Sequence, residues 1–326
     1  MARDETTRER TESERGNEKN REPSERTENA VSRRSYLRLA GAATAAAVGA
    51  NVTTGLSSAG QYETITVPAG ETKTIEVAGG ETFENKLIDQ SAEGAAVKIN
   101  ASGSDWTIRN VGLKGKCGAS SFGFFSLIPS VSSGSKGLVE NIYMGDGVET
   151  NSANEAEPGA VWVDANTPHE GELTFRNCNI QKYANNGLYA SGPGAKHGAG
   201  AGGPVKVESC YCASNDIANV RLGTPGSYVK NSVIENNDAA IHHSNGPNKR
   251  GIWGWYVPIT VKNCDVNVTE YDAVNGGFHG GKVAVKNSAV EGPTSGSVTT
   301  TDVSSNPKTK IPKKVPESAE QAANGK

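Results

Sequence analysis

The chain has 326 residues and a formal net charge of −3; 35 % of its residues are hydrophobic, only 6 % are aromatic, and 39 are glycine. So few large side chains argue against a thick-cored helical protein or a doubly wound α/β enzyme, and they predict a narrow interior. The balanced charge gives no general attraction to nucleic acid. The sequence contains no apolar run of about 18 residues, the length that a membrane-spanning helix needs. We therefore expect no stable membrane span, and the balanced charge predicts no nucleic-acid partner.

The N-terminal region has the composition of an export signal. Residues 1–30 are almost entirely polar or charged, which predicts a disordered segment. Arg33 and Arg34 follow, and a weakly apolar stretch comes after them, in the order typical of a secretory signal. The paired arginines resemble the twin-arginine export motif that is common in haloarchaeal secreted proteins. The resemblance implies that residues 1–59 are a signal, that the twin-arginine translocase is a partner during export, and that the protein is secreted, extracellular or at the cell surface.

A repeat centred on asparagine extends from residue 107 to residue 290. Each copy has an apolar and a charged residue before the centre, and a small or apolar residue after it. The centres are Asn110, Asn141, Asn177, Ser209, Asn231, Asn263 and Asn287. The shortest separations, 22 and 24 residues, define a unit of three short strands and three turns. Such a unit buries its apolar face only by stacking on its neighbours, which predicts a solenoid with a ladder of amide hydrogen bonds.

Segments before the first repeat alternate in the same way and predict the opening turns of the solenoid: 63–67, 72–77, 83–88 and 96–99. Over roughly residues 61–300 the sequence resembles the pectate-lyase-like superfamily. The resemblance implies an all-β fold, a single-stranded right-handed parallel β-helix, as one domain of residues 60–301. We expect residues 291–301 to cover its last turn. The polar, lysine- and proline-containing residues 302–326 predict a tail with no packed core.

Cysteine occupies the position after the repeat centre in three copies, at Cys178, Cys210 and Cys264. A metal or redox site is one interpretation, but free cysteine is among the most buried residue types. Cys117 and Cys212 lie outside this column, and no matching Cys or His pair accompanies them. The sequence therefore predicts an interior stack of small residues and no metal site, and it leaves any cofactor undefined.

A second column of strands is predicted at 160–164, 187–191, 219–223, 240–244 and 273–277. Alternation within these strands places one side chain per turn of the solenoid on the outer face. These outward residues are Trp162, Tyr189, Arg221, His242 and Asn275. Aromatic rings stack on sugar rings, and arginine binds carboxylates through two hydrogen bonds, so this row predicts a saccharide-binding groove. The alternative is a mixed exposed face without a ligand.

The longest loops leave the ends of these strands and would bring Lys249, Arg250 and Trp253 to the same wall as further substrate-binding residues. Lysis of a uronic-acid polymer needs a base and a positive charge that stabilises the enolate. Arg221, His242, Lys249 or Arg250 could serve in these catalytic roles.

Hydrolysis needs two carboxyl groups, and Asp164 is the acid that the pattern places on the outer face. The stretch Trp162-Val163-Asp164 is similar to a Trp-Ile-Asp-His stretch of pectate lyases, although Ala165 replaces the histidine.

These patterns predict a secreted β-helix protein that binds a polysaccharide or surface glycan. If the protein is an enzyme, the expected activity is that of a polysaccharide lyase or a glycoside hydrolase. The alternative is a non-catalytic cell-surface or adhesive β-helix protein whose same face binds a glycan or another protein. A base–cation pair placed over the aromatic row would favour the enzyme, whereas scattered side chains would favour the binder.

Overall fold

The computed structural model describes residues 54–56, 62–119, 121, 123–149, 157–190, 200–236 and 249–325, all within one unit of the chain, 49–326. No helix in these ranges is long and apolar enough to cross a membrane. The elements in chain order are β1 (Thr54–Leu56), β2 (Glu63–Thr66), β3 (Thr72–Val77), β4 (Thr82–Asp89), β5 (Ala96–Ala101), β6 (Trp106–Lys114), β7 (Phe125–Pro129), β8 (Lys136–Met144), β9 (Gly159–Trp162), β10 (Glu172–Arg176), β11 (Asn179–Gln181), β12 (Leu188–Ala190), β13 (Val205–Glu208), β14 (Tyr211–Ala213), β15 (Ala218–Leu222), β16 (Tyr228–Lys230), β17 (Val233–Glu235), β18 (Arg250–Trp255), β19 (Pro258–Lys262), β20 (Asp265–Asn267), β21 (Val274–Phe278), β22 (Lys282–Glu291), β23 (Thr294–Ser295), β24 (Val298–Ser304) and α1 (Ala319–Ala323).

The strands form two large sheets. The first has 15 strands, in the order β1-β2-β4-β6-β8-β10-β13-β16-β19-β22-β20-β17-β14-β11, with β24 paired to β22. The second has nine, in the order β23-β21-β18-β15-β12-β9-β7-β5-β3. All pairings are parallel except that of β1 with β2. The predicted all-β class with parallel sheets is therefore confirmed, and the arrangement is compatible with a parallel β-helix.

Within the first sheet, the chain bends at the repeat asparagine, so that one set of strands precedes this corner and another follows it. The corner residues have positive φ, such as 54° at Asn110 and 53° at Asn141. Asparagine tolerates this left-handed conformation better than most residues do. Asn110 donates to the side-chain oxygen of Asn85, and Asn141 donates to that of Asn110, both at 2.9 Å. Asn263 donates to Asn231 at 3.2 Å, so the predicted amide ladder forms at these steps.

The narrow interior contains the predicted column of small residues. Cys178, Cys210 and Cys264 are buried and free, and Cys117 and Cys212 are as well. The hydroxyl of Ser288 accepts a hydrogen bond from the backbone N–H of Cys264 at 3.1 Å. Burial raises the pKa of the Cys117 thiol to about 11, so that thiol stays neutral in the interior. In the described ranges no group of three or more His, Cys, Asp or Glu side chains could hold a metal ion.

The C-terminal segment differs from its prediction. Strand β24 adds a parallel pairing to β22 that extends to Ser304. Residues 305–325 then run back across the strands that follow the corner. The N–H of Lys308 donates to Asp265 of β20 at 2.8 Å, and the carbonyl of Pro316 accepts from Asn179 of β11 at 2.7 Å. The segment therefore lies along the outside of the first sheet.

Two buried clusters attach this segment to the sheet. Val315 packs with Tyr211 and Val233, while the alanines of α1 pack with Leu87 and Tyr143. Asn141 also donates to the carbonyl oxygen of Ala322 at 3.1 Å. The expectation of a tail with no packed core is wrong, because these small apolar residues meet apolar side chains that project outward from the sheet.

Candidate functional site

The nine-stranded sheet carries the row of outward side chains that the sequence predicts. Trp162 is in register with Tyr189, and Tyr189 is in register with Arg221 on the next strand. The row continues through Trp253 to Asn275. The inward neighbours of these residues are fully buried: Val161, Leu188, Val220, Ile252 and Val274. We call the outward residues Trp162, Tyr189, Arg221, Trp253 and Asn275 the aromatic–arginine row.

The fourth place in this row is held by Trp253, whereas the sequence analysis assigned it to His242. The structure pairs β18 with β15, so that Ile252 adjoins Val220 and Trp253 adjoins Arg221. The sequence analysis placed a strand at 240–244 and treated residues 245–256 as a loop, so it did not consider Trp253 for this place. Strand β18 contains Trp253 and Trp255, and aromatic residues favour strands. His242 itself lies outside the described residues, as do Arg33 and Arg34.

The first two aromatic rings of the row lie face to face. The planes of Trp162 and Tyr189 differ by 2° and their centroids are 5.4 Å apart, and Phe125 lies 5.2 Å from Trp162. Each ring therefore uses one face against its neighbour. Because those faces are occupied, a ligand on this part of the sheet would meet ring edges and polar tips more than open aromatic faces.

Arg221 lies at the centre of the row among aromatic rings and is only 7 % exposed. Its guanidinium carbon is 3.5 Å from the ring centroid of Trp255, 4.4 Å from that of Tyr189 and 4.7 Å from that of Trp253. Burial lowers the pKa of the Arg221 guanidinium to about 10, so the group remains charged at neutral pH. In the part of the chain that the structure describes, no carboxylate or imidazole forms an ion pair or hydrogen bond with it. In the described part of the chain, the faces of the aromatic rings are therefore the main groups that offset the cost of burying this positive charge.

N–H donors without acceptors are concentrated around this arginine. Within the described ranges, Nε of Arg221 and the indole N–H groups of Trp162, Trp253 and Trp255 are buried and have no hydrogen-bond partner. Buried donors of this kind are uncommon, and each one calls for an explanation such as a bound water or ligand. The site is therefore rich in donors and poor in acceptors.

Arg250 and Lys249 lie at the start of β18. The guanidinium of Arg250 is 3.9 Å from the ring centroid of Trp253 and 4.9 Å from that of Tyr271, and burial lowers its pKa. Lys249 is buried and forms an ion pair with Glu270 at 3.4 Å. Arg250 therefore places a second guanidinium against the rings of the row, and Lys249 pairs with a carboxylate.

The residue in closest contact with Arg221 was not among the predicted site residues. Trp255 also lies 4.1 Å from Phe278, which is 42 % exposed, and 5.3 Å from His279. The sequence analysis treated residues 245–256 as a loop that brings Trp253 and Trp255 to the same wall, and it missed the strand that places both rings beside Arg221. Recognition of Arg250–Trp255 as a strand would have revealed this spacing of two.

Asp164 does not lie on the outer face. It has a positive φ of 69° and is 4 % exposed. Its Oδ1 accepts a hydrogen bond from the backbone N–H of His169 at 2.8 Å. Asp164 therefore closes the turn after β9, and the predicted outward placement is wrong because the strand ends before it. At the other end of the row, Asn275 donates to Asp272 at 2.6 Å and to Ser295 at 2.8 Å.

No family, curated protein or solved structure was found to match the chain. The resemblance to the pectate-lyase-like superfamily therefore stays a prediction. Inferences about function rest on the geometry of the row.

Proposed function

We propose that this protein is a secreted parallel β-helix protein that binds an acidic polysaccharide along the aromatic–arginine row. The observation that carries the proposal is the buried guanidinium of Arg221, which has an unused Nε donor and no carboxylate partner in the described ranges. The indoles of Trp253 and Trp255, whose N–H donors are also unused, lie beside it, and that of Trp162 lies two strands away in the same row. A ligand that fits this site brings acceptors and negative charge.

The electrostatics favour an anionic ligand over a neutral one. Removing a charged group from water is costly unless another group compensates it, and aromatic faces offset only part of that cost. A carboxylate at the row would accept charge-assisted hydrogen bonds, which are about twice as strong as neutral ones. Arg250, over Trp253, adds a second guanidinium to this part of the surface.

We propose that the protein binds the polysaccharide, and an experiment must show whether it also cleaves it. A lyase needs a base close to the cation that stabilises the enolate. Among the described residues, none with a carboxylate or imidazole contacts Arg221 through a hydrogen bond, and Asp164 is committed to its turn. His242 lies outside these residues, so its role as a base stays a prediction.

We further infer that the two parallel sheets belong to a single-stranded right-handed β-helix. Successive strands of the chain alternate between the sheets in one recurring order, as from β10 and β11 to β12, and from β13 and β14 to β15. This recurrence supports a chain that winds around one interior. A β-helix would align the row with the solenoid axis, as binding of a linear polymer requires.

Export through the twin-arginine route is proposed from Arg33 and Arg34 alone. Replacing both with lysine should retain the protein inside the cell, because the motif depends on the two guanidinium groups. Immunoblots of cell and medium fractions measure this. Normal export of the double variant would contradict the signal assignment.

The test of the binding proposal compares two arginine variants of the full-length chain. Arg221→Gln removes the charge of the row, and Arg109→Gln removes an exposed arginine that pairs with Glu84 at 2.6 Å on the other sheet. Affinity for polygalacturonate and for neutral dextran is measured by affinity electrophoresis. We expect Arg221→Gln to weaken binding to polygalacturonate about tenfold or more, the scale of a hydrogen bond to a charged group, with no effect of Arg109→Gln.

Equal affinities of the parent chain for the two polymers, or equal effects of the two substitutions, would contradict the proposal. Thermal unfolding shows whether each variant is folded, and Arg221→Lys, which keeps the charge, should retain part of the affinity. Absorbance of unsaturated products and assays of reducing ends on the same samples show whether the polymer is cleaved.

A further inference from the structure

The first sheet carries a second row of charges, at the position just before each corner residue. In the first part of the sheet the sign alternates, from Glu84 through Arg109, Glu140 and Arg176 to Glu208. Arg176 pairs with Glu140 at 3.5 Å and with Glu208 at 3.1 Å. Each arginine in this part of the row therefore lies between two carboxylates.

The alternation stops after Lys230, which lies opposite Glu208. The strands from β16 through β19 to β22 place Lys230, Lys262 and Lys286 in register. All three are exposed, and neighbouring strands are about 4.8 Å apart. In the described part of the chain no carboxylate lies within ion-pair distance of any of the three. We call these three residues the lysine row.

Like charges directly opposite each other on adjacent strands destabilise a sheet. In the preceding part of the row, opposite charges face each other and this repulsion is absent. The three lysines differ from that part because they place like charges on adjacent strands. Glu208 lies opposite Lys230, but Tyr228 also donates to that carboxylate at 2.6 Å and Arg176 pairs with it, and no carboxylate takes the corresponding place beside Lys262 or Lys286 on these strands. The excess charge is therefore concentrated in the lysine row.

An open groove accompanies the lysine row. It has a volume of about 420 Å³ and is lined by Tyr228, Lys230, Thr260 and Lys262 among others. The hydroxyl of Thr260 lies on the same strand as Lys262 and on the same face, two residues away. A linear ligand that crosses these strands would meet one ammonium group per strand and a hydroxyl beside the second.

We propose that the lysine row is a binding site for an acidic polysaccharide, separate from the aromatic–arginine row on the other sheet. Ammonium groups one strand apart fit a polymer that carries one negative charge on each repeating unit. A single-stranded nucleic acid is less suited, because such ligands use aromatic platforms for base stacking, and among the described residues that line this groove only Tyr228 is aromatic. The inference does not depend on Arg221.

The test uses two triple variants of the full-length chain with the same net charge. One carries Lys230→Gln, Lys262→Gln and Lys286→Gln. The control carries Lys136→Gln, Lys313→Gln and Lys314→Gln, at exposed positions away from the row. The probes are polygalacturonate for carboxylate groups, chondroitin sulfate for sulfate groups, and a single-stranded oligonucleotide, each measured at two salt concentrations. The polymer class that binds distinguishes carboxylate from sulfate recognition.

We expect the row variant to bind at least one of the two polysaccharides about tenfold more weakly at low salt, since three exposed ion pairs are lost. The control should remain close to the parent chain, and salt should reduce the difference between them. Equal binding by the two triple variants would overturn the inference, as would a parent chain that binds only the oligonucleotide or none of the probes. Repeating the measurement with Arg221→Gln in the background separates this site from the proposed function.

Discussion

Two outer faces of this protein carry apolar or aromatic side chains, and the two faces differ in what covers these side chains. On the strands that follow the corner, Tyr211 and Val233 are covered by Val315 of the C-terminal segment. On the nine-stranded sheet, Trp253 and Trp255 lie against each other and against Arg221. The first face is completed by apolar contact within the chain, whereas the second retains donors without acceptors.

This difference separates structural burial from a candidate ligand site. Apolar side chains gain stability from any cover that excludes water, so the C-terminal segment is sufficient on the first face. Buried N–H groups gain only from acceptors. Nε of Arg221 and the indole N–H groups of Trp253 and Trp255 lack acceptors in the described ranges, and this lack is why we propose ligand binding on the second face.

The largest effect should come from the interior that both faces share. Ile234 is fully buried, and Ile234→Asp would place an unpaired carboxylate there at a cost of several kcal/mol. We expect loss of native tryptophan fluorescence and protease sensitivity of the C-terminal segment at the same denaturant concentration. A variant that unfolds like the parent chain would show that the interior is not shared as described.

A smaller effect, limited to the covered face, should follow from Gly112→Ala. A Cβ at residue 112 would lie 2.0 Å from the carbonyl oxygen of Ala319, so α1 must move away. We expect a cost of about 2 kcal/mol, within the range for overpacked sites. Limited proteolysis should then cut the C-terminal segment sooner, while tryptophan fluorescence stays unchanged. Thr107→Ala, on the same strand before the corner, is the control and should leave the segment resistant.

The sequence was sufficient to predict the elements that repeat. Asn110 and its counterparts recur at each corner, and the alternation around them identifies the inward residues and the outward positions of Trp162, Tyr189 and Arg221. Local patterns of this kind are decided by neighbouring residues and by stacking of identical units. The amide ladder and the cysteine column follow from the same repetition.

Features that do not repeat could not be predicted in this way. The sequence predicts a strand at 240–244 and a loop at 245–256, and only the pairing of β18 with β15 shows that Arg250–Trp255 is a strand of this sheet. The contact of α1 with Leu87 and Tyr143 joins parts of the chain far apart in sequence, and the polar composition of 302–326 does not reveal it. Asp164 belongs to a turn whose positive φ has no signal in the strand pattern.

On the second face, Trp255→Leu should cost about 1–2 kcal/mol, because Arg221 loses the ring nearest to it and buried cation–π contacts are of this size. Denaturant unfolding measures the cost. Trp162→Leu is the matched control, since it removes an indole ring from the same row that stacks on Tyr189 and not on a guanidinium. If Trp162→Leu were the more costly change, ring packing and not the cation would stabilise this face.

The smallest effect should come from the exposed ion pairs, which lie on neither of the two faces. Burial raises the pKa of Glu208, but hydrogen bonds from Tyr228 and Arg176 outweigh it, so the pKa lies below its usual value of 4.5. A carboxyl with a lowered pKa in the folded state stabilises the fold above its unfolded pKa, and that stability is lost as the pH falls through the folded pKa. Glu208→Gln should therefore lower stability at pH 7 by less than about 1 kcal/mol and should have little effect once acid has protonated the parent carboxyl. Unfolding curves measured from neutral to acidic pH test this, and a difference between the two chains that grows towards acidic pH would contradict it.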